Sequence, residues 1–298
     1  MNREDIYIQN PWWESKEFIN NDKHIMTFSK CTFQYLPSFL QEMDYGKKGV
    51  YTLRGPRQVG KTTSLKLMIK NLIERDVNPS NILYLTLDNI VDKNELTELI
   101  KSWIQLRQRI SSDDLYLFLD EISFIKDWQY SIKYLVDIGL LSNCFVFLSS
   151  SSAYDIKRSS ERLPGRRGEE VDIIQLPVSF KDFVQTIYNK TLIRMSLSEI
   201  INASESDLEL LDFEYVKYLK DFNVYIESGG FPKVINSFFE KNMITDAVIR
   251  IYEDFLLGDI ERFSKSRITL MKLMKKTPQI VGQRFSWNSL NNSINTVE

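Results

Sequence analysis

Up to residue 176 this chain alternates between two hydrophobic periods. Val50-Tyr51-Thr52-Leu53, Ile82-Leu83-Tyr84-Leu85-Thr86-Leu87, Leu115-Tyr116-Leu117-Phe118-Leu119 and Cys144-Phe145-Val146-Phe147-Leu148 are short, nearly continuous apolar runs. Runs of that length, rich in aromatic and aliphatic residues, predict buried strands. Between them Leu65, Met68, Ile69, Leu72 and Ile73 fall on one helical face, as do Leu96, Leu99, Ile100, Trp103 and Ile104. Ile125, Trp128, Ile132, Leu135 and Val136 mark a third helix. Such alternation predicts βαβ units: an α/β fold with a mostly parallel sheet, helices on both faces and ligands at the strands' carboxyl ends. A last strand is predicted at Val171-Asp172-Ile173-Ile174-Gln175-Leu176.

Beyond Ser179 the strand signals fade. The chain reads as helical to about Phe263, with Phe183, Ile187 and Leu192 first and an apolar face later at Ile244, Val248, Ile251, Tyr252 and Phe255. A polar, acidic interlude is expected from Ser204 to Asp212, and Gly229-Gly230-Phe231-Pro232 is strong helix punctuation. The chain shows no internal repeat or low-complexity tract.

The totals fit one large or two ordinary globular domains: 298 residues, 43% hydrophobic and 26% charged. A net charge of −2 and a pI near 5.8 provide no global basic field for nucleic acid. Cys31 and Cys144 lack metal or redox spacing and fit a reducing compartment. A single histidine, His24, excludes multi-histidine metal centres; it is expected to be a surface or packing residue. No run of 18 apolar residues and no signal-peptide core are present, so a cytoplasmic protein without a membrane segment is expected.

Residues 55–62 carry the most specific chemistry. Gly55-Pro56-Arg57-Gln58-Val59-Gly60-Lys61-Thr62 is a complete G-x-x-x-x-G-K-[ST] loop, followed by Thr63. The pattern arises by chance in roughly one unrelated chain of this length in a hundred. Here it also has the strand before it and the helix after it that the motif requires. Gly55 and Gly60 let successive backbone N–H groups turn towards phosphates, Lys61 adds charge at the β/γ-phosphates, and the Thr62 hydroxyl can ligate Mg²⁺. The helix N-terminus adds its dipole. The loop therefore predicts an ATP or GTP site.

The Leu115–Leu119 run ends in Asp120-Glu121. A carboxylate at a buried strand's carboxyl end can hold Mg²⁺, and its neighbour can orient and deprotonate water. Asp120 is assigned to the metal and Glu121 to the water; the alternative is an N-cap pair for the next helix. Ser149-Ser150-Ser151-Ser152 places hydroxyls at the same sheet edge, with Ser149 and Ser151 as candidates for γ-phosphate or water and a solvated turn as the alternative. Lys157, Arg158, Arg162, Arg166 and Arg167 follow, and Arg166 is the candidate phosphate or partner arginine against a background of ordinary surface charge. Pro11-Trp12-Trp13 reads as packing onto the core rather than as a partner-binding hot spot.

Taken in order, these motifs resemble the archaeal-type AAA-superfamily ATPases related to the STAND group of signal-transducing NTPases. Asn10-Pro11-Trp12-Trp13, the loop, Leu-Phe-Leu-Asp-Glu-Ile at 117–122, the serine-rich strand end, Leu-Pro-Gly-Arg at 163–166, Leu-Pro-Val-Ser-Phe at 176–180 and Gly-Gly-Phe-Pro at 229–232 carry the likeness. Ser150 departs from the pattern, since a glycine is common there in this family. The resemblance implies an N-terminal extension at 1–45, an additional-strand P-loop core at 46–178 and a helical lid at 179–264. It also implies the start of an incomplete winged helix at 265–298.

The expected activity is Mg²⁺-dependent ATP hydrolysis coupled to a conformational switch. One alternative is a nucleotide-gated interaction or signalling protein with little turnover. Another, motivated by the basic cluster and the partial winged helix, is a DNA-directed ATPase. A homo-oligomer or protein partner would be needed if an arginine acts in trans.

Overall fold

The computed structural model describes residues 3–151, 167–190, 192, 195–261 and 266–295. Five strands, β1 (Gly49–Arg54), β2 (Ile82–Thr86), β3 (Leu115–Asp120), β4 (Cys144–Ser150) and β5 (Arg167–Ile174), form one sheet in the order β2-β3-β4-β1-β5. Every pairing is parallel. The sheet is the α/β arrangement that the apolar runs predict. β4 sits between β1 and β3, so the serine run lies beside both the phosphate-loop strand and the Asp-Glu strand.

Side chains on alternate strand positions divide by shape. Leu83, Leu85, Leu117, Leu119, Val146 and Leu148 point to one face, where they pack with the helices Lys93–Ile110 and Trp128–Asp137. Tyr84, Tyr116, Phe118, Phe145 and Phe147 point to the other, against the helix Lys61–Glu74. The period-two pattern of each run thus becomes an aliphatic face and an aromatic face. Tyr51 and Phe145 stack with centroids 4.8 Å apart, and Phe145 and Phe147 lie 6.0 Å apart and nearly parallel. Each fully buried large side chain contributes about 1.5–3 kcal/mol, so both layers anchor the strand ends firmly.

β2 lies at the sheet edge, and the N-terminal residues complete it without adding a strand. Backbone groups of alternate residues face an open edge and need partners. Side chains provide them here. Asn10 Oδ1 accepts the Tyr84 N–H at 2.7 Å and its Nδ2 donates to Tyr84 O at 2.9 Å. Gln9 Oε1 accepts the Thr86 N–H at 2.7 Å, while the indoles of Trp12 and Trp13 both donate to Ile82 O, at 3.2 and 2.7 Å. Asn10 and Trp12 are buried.

The chain forms two compact units, residues 1–240 and 241–298. After β5 the first unit continues through the helices Phe180–Tyr188, Leu197–Asn202, Glu205–Val216, Leu219–Ser228 and Pro232–Lys241. Phe33, Val178, Phe183, Val184, Tyr218 and Ile235 build a small separate core there. Gly229-Gly230 ends one helix and Pro232 opens the next, as the punctuation predicts. The polar, acidic stretch at 204–212 caps and opens one of these helices. Ser204 and Asp207 form a reciprocal capping box that satisfies the first N–H groups of Glu205–Val216. The second unit contains the helices Asp246–Glu261, Arg267–Ile280 and Trp287–Asn295. β5 runs from Arg167 rather than Val171 and ends at Ile174, so Gln175 and Leu176 lie beyond it. Among the described residues no helix is long and apolar enough to cross a membrane.

Asn10→Leu should keep the volume while leaving the Tyr84 N–H and C=O unpaired. A stability loss of about 2–5 kcal/mol in urea denaturation is expected; an unchanged midpoint would show that the edge does not need this side chain.

Candidate active site

The loop between β1 and the helix Lys61–Glu74 is shaped by close approach and by left-handed backbone. A Cβ on Gly55 would lie 2.0 Å from the carbonyl oxygen of Gln175, a backbone atom with no freedom to yield. Gly60 has φ +96°, where side chains are strained. Gln58 also has positive φ, 66°, a conformation costing a non-glycine residue about 1 kcal/mol or more. Val59 is buried, Pro56 is exposed, and Arg57, Gln58, Thr62 and Thr63 are half-buried at the mouth.

Lys61 is 5% exposed, and its ammonium donates to the carbonyls of Gly55 at 3.1 Å and Pro56 at 3.0 Å and to Ser151 Oγ at 2.9 Å. The Ser151 hydroxyl in turn donates to Glu121 Oε1, and its N–H donates to Glu121 Oε2 at 3.0 Å. Lys61, Ser151 and Glu121 therefore form one continuous chain of donors and acceptors. Glu121 follows β3 in left-handed backbone with φ 57°, and no side-chain cap bond is made from it. Glu121 thus occupies the N-cap position of the 3-10 turn Ile122–Phe124, with its side chain bonded to Ser151 and not to the turn.

Asp120 ends β3 and is 3% exposed. Its Oδ2 accepts from Thr62 Oγ1 at 2.7 Å and from Tyr84 Oη at 3.0 Å, and its Oδ1 accepts from Ser149 Oγ. Ser149 Oγ also accepts the Glu121 N–H at 3.1 Å. Ser149 on β4 and Ser151 just past its end face the site, whereas Ser150 points away to Ser123 Oγ at 2.7 Å. Period two thus separates the two candidate serines from their neighbour.

Thr62 and Asp120 fit a magnesium site. Their atoms are a hydroxyl and a carboxylate, the hard oxygen donors that Mg²⁺ prefers. The Thr62 proton already points at Asp120, which leaves the hydroxyl lone pairs to face an ion. Arg166 lies outside the described residues, as do Lys157, Arg158 and Arg162; the backbone of Arg167 begins β5.

Three contributors carry little sequence signal. Gln175, just past β5, donates from Nε2 to Val59 O at 2.7 Å and accepts from Ser64 Oγ at 3.2 Å, bracing the loop from below. Tyr84 reads as an ordinary strand aromatic. Burial and the adjacent Asp120 carboxylate push its phenol well above the usual range, so it remains a donor. Lys66 is buried against Asp22 at 3.2 Å, and burial lowers the ammonium's pKa from the usual lysine range. His24 is half-buried beside Asp22, and burial lowers its pKa.

Residues 47–184 match the family model of the AAA domain. This segment is similar to AAA domains. The match contains β1–β5, the phosphate loop, Asp120, Glu121 and the site-facing serines, so the AAA core and the candidate site coincide. Over 231 residues, 76% of this chain, the sequence is 24% identical to an uncharacterized protein of Haemophilus influenzae. That alignment spans 49% of the relative, about half its length. Among solved structures the chain is similar to the Orc1 protein of Aeropyrum pernix in complex with DNA, with 11% identity and a TM-score of 0.42. That likeness covers 96% of this chain and 81% of the other. A Walker-type ATPase of Pyrococcus abyssi is 12% identical with a TM-score of 0.44, covering 99% and 90% of the two chains. The AAA domain brings nucleotide binding as its general function.

Gln175→Leu should cost about 1–3 kcal/mol by leaving Val59 O and the Ser64 hydroxyl without their partner. Chemical denaturation checks it; a loss near zero would show that the loop needs no brace.

Proposed function

We propose that this chain is a Mg²⁺-dependent ATP hydrolase whose turnover switches the arrangement of its helical region. The observation that supports it best is the Lys61–Ser151–Glu121 chain beside the Thr62–Asp120 pair. One end binds phosphate, the other handles water, and a hydroxyl links them.

In this reading the N–H groups around Gln58 to Thr62 wrap the triphosphate. Lys61 exchanges the loop carbonyls for the β/γ-phosphate oxygens, a stronger charge-assisted contact. Mg²⁺, when bound, neutralises charge on those oxygens. Thr62 and Asp120 would hold it. When Lys61 turns away, the Ser151 hydroxyl loses the donor that polarises it, which weakens its bond to Glu121 Oε1 and makes that oxygen easier to free for orienting water and taking its proton. Residues 46–178 are the core of this reading, 179–264 its lid, and 265–298 winged-helix elements.

A low-turnover, nucleotide-gated interaction protein is the second reading. It is favoured by one feature: both Glu121 oxygens accept from Ser151, so the base is withheld until that contact breaks. The DNA-directed alternative draws on residues 157–167, of which only the backbone of Arg167 is described, and on the partial winged helix expected at 265–298, where the helices Arg267–Ile280 and Trp287–Asn295 are described.

Lys61→Ala should abolish ATP binding in a nucleotide titration. Glu121→Gln should bind ATP but release phosphate about 10²- to 10⁴-fold more slowly, the usual contribution of a positioned base. Normal turnover by Glu121→Gln would remove the assignment of the base, and tight ATP binding without measurable phosphate release by the unaltered chain would favour the gated reading.

A further inference from the structure

We propose that Tyr84 is a positioning residue for the magnesium side of this site, and that the N-terminal residues 10–22 act on the site through it. The inference rests on the reading of Asp120 as the metal-side carboxylate.

Tyr84 Oη donates at 3.0 Å to Oδ2 of Asp120, the oxygen that also accepts from Thr62. Two donors from two different elements therefore meet on one carboxylate oxygen and fix its direction. A metal ligand whose other contacts are fixed binds its ion more tightly, because less freedom is lost on coordination. Thr62 is itself the proposed hydroxyl ligand, so Tyr84 is the donor to that oxygen that stands outside the coordination sphere.

The tyrosine is immobilised from three sides. Its backbone N–H and C=O are both bonded to the Asn10 side chain. Its ring carries the Lys66 ammonium 3.4 Å from the centroid, and the same ammonium lies 4.9 Å from the Trp12 ring. Lys66 is held by Asp22 Oδ2 at 3.2 Å, while Asp22 Oδ1 accepts the N–H groups of His24 and Ile25 at the start of the helix Lys23–Lys30. A cation on the face of a phenol withdraws electron density and strengthens its O–H as a donor. The path from Asp22 through Lys66 and Tyr84 to Asp120 is buried at Lys66, Tyr84 and Asp120. Low dielectric surroundings preserve the effect of each charge on the next.

Simple satisfaction of a buried hydroxyl is the competing explanation, and Tyr84→Phe separates the two. It keeps the ring, its contact with the Lys66 ammonium and the strand while deleting one donor. Binding of a fluorescent ATP analogue is measured during Mg²⁺ titration and again in EDTA. The Mg²⁺ midpoint should rise about tenfold in Tyr84→Phe while the affinity in EDTA stays within about twofold, the low end for losing an outer partner of a metal ligand. Lys66→Met, which keeps the stem and removes the cation, should shift the midpoint in the same direction by less, and it decides the matter if Tyr84→Phe does not fold. A midpoint that is unchanged or lowered overturns the proposal. Asp120→Asn is the reference. If it retains the normal Mg²⁺ dependence, the metal reading of Asp120 fails; if it loses that dependence while Tyr84→Phe keeps the normal midpoint, only the role of Tyr84 fails.

Discussion

A carboxylate buried at the tip of a central strand is the constraint on which this structure depends. Removing an ion from water costs several kcal/mol unless hydrogen bonds replace the lost hydration. Asp120 receives them from Thr62 on the loop helix, Tyr84 on β2 and Ser149 on β4. None of these can be supplied unless the carboxyl-terminal parts of β2, β3 and β4 and the start of the loop helix lie side by side. The parallel sheet provides that alignment, because every strand presents its carboxyl end to one edge. Folding the core and assembling the site are thus the same event.

The edge of the sheet poses the opposite problem, since β2 has backbone groups to satisfy and, among the described residues, no neighbouring strand beyond it. Gln9, Asn10, Trp12 and Trp13 solve it with side chains. An amide can accept and donate at once, as a backbone peptide does, and two indoles can share one carbonyl. The arrangement closes the edge to pairing by other chains, which is a hazard of exposed strands. It also brings Trp12 and Asp22 over the helix Lys61–Glu74, where Lys66 takes both as neighbours.

Much of this was legible in the sequence because it is local. Continuous apolar runs and helical spacing mark four strands and three helices, and the loop motif fixes Gly55 to Thr62 in a single stretch. Asp120 and Glu121 are found because they follow the run at 115–119 directly. What escapes is long-range. Gln175 meets Val59 and Ser64 across more than a hundred residues, and Tyr84 is one aromatic among many until Asp120 lies beside it. The helix Glu205–Val216 falls in the region that reads as helical, and Ser204 followed by Asp207 three positions later is the cap signal that fixes its start. The orientation of Ser149 and Ser151 needs only the period of two, once the strand is known to continue through Ser150.

The loop and the helical region that follows are joined by a short bonded path. Gln175 holds Val59 O with its side chain and Arg54 O with its N–H. Three residues later Val178 donates its N–H to Gly230 O at 2.7 Å and accepts from the Tyr225 hydroxyl at 2.9 Å. A Cβ on Gly230 would fall 2.5 Å from Val178 O, so the two backbones touch as closely as glycine allows. Pro177 sits inside the path and fixes its own φ, which removes a degree of freedom where slack would otherwise accumulate. These bonds and the close approach restrict movement between Val59 and Gly230. Such stiffness is what any coupling between phosphate contacts and the helices of residues 180–240 physically requires.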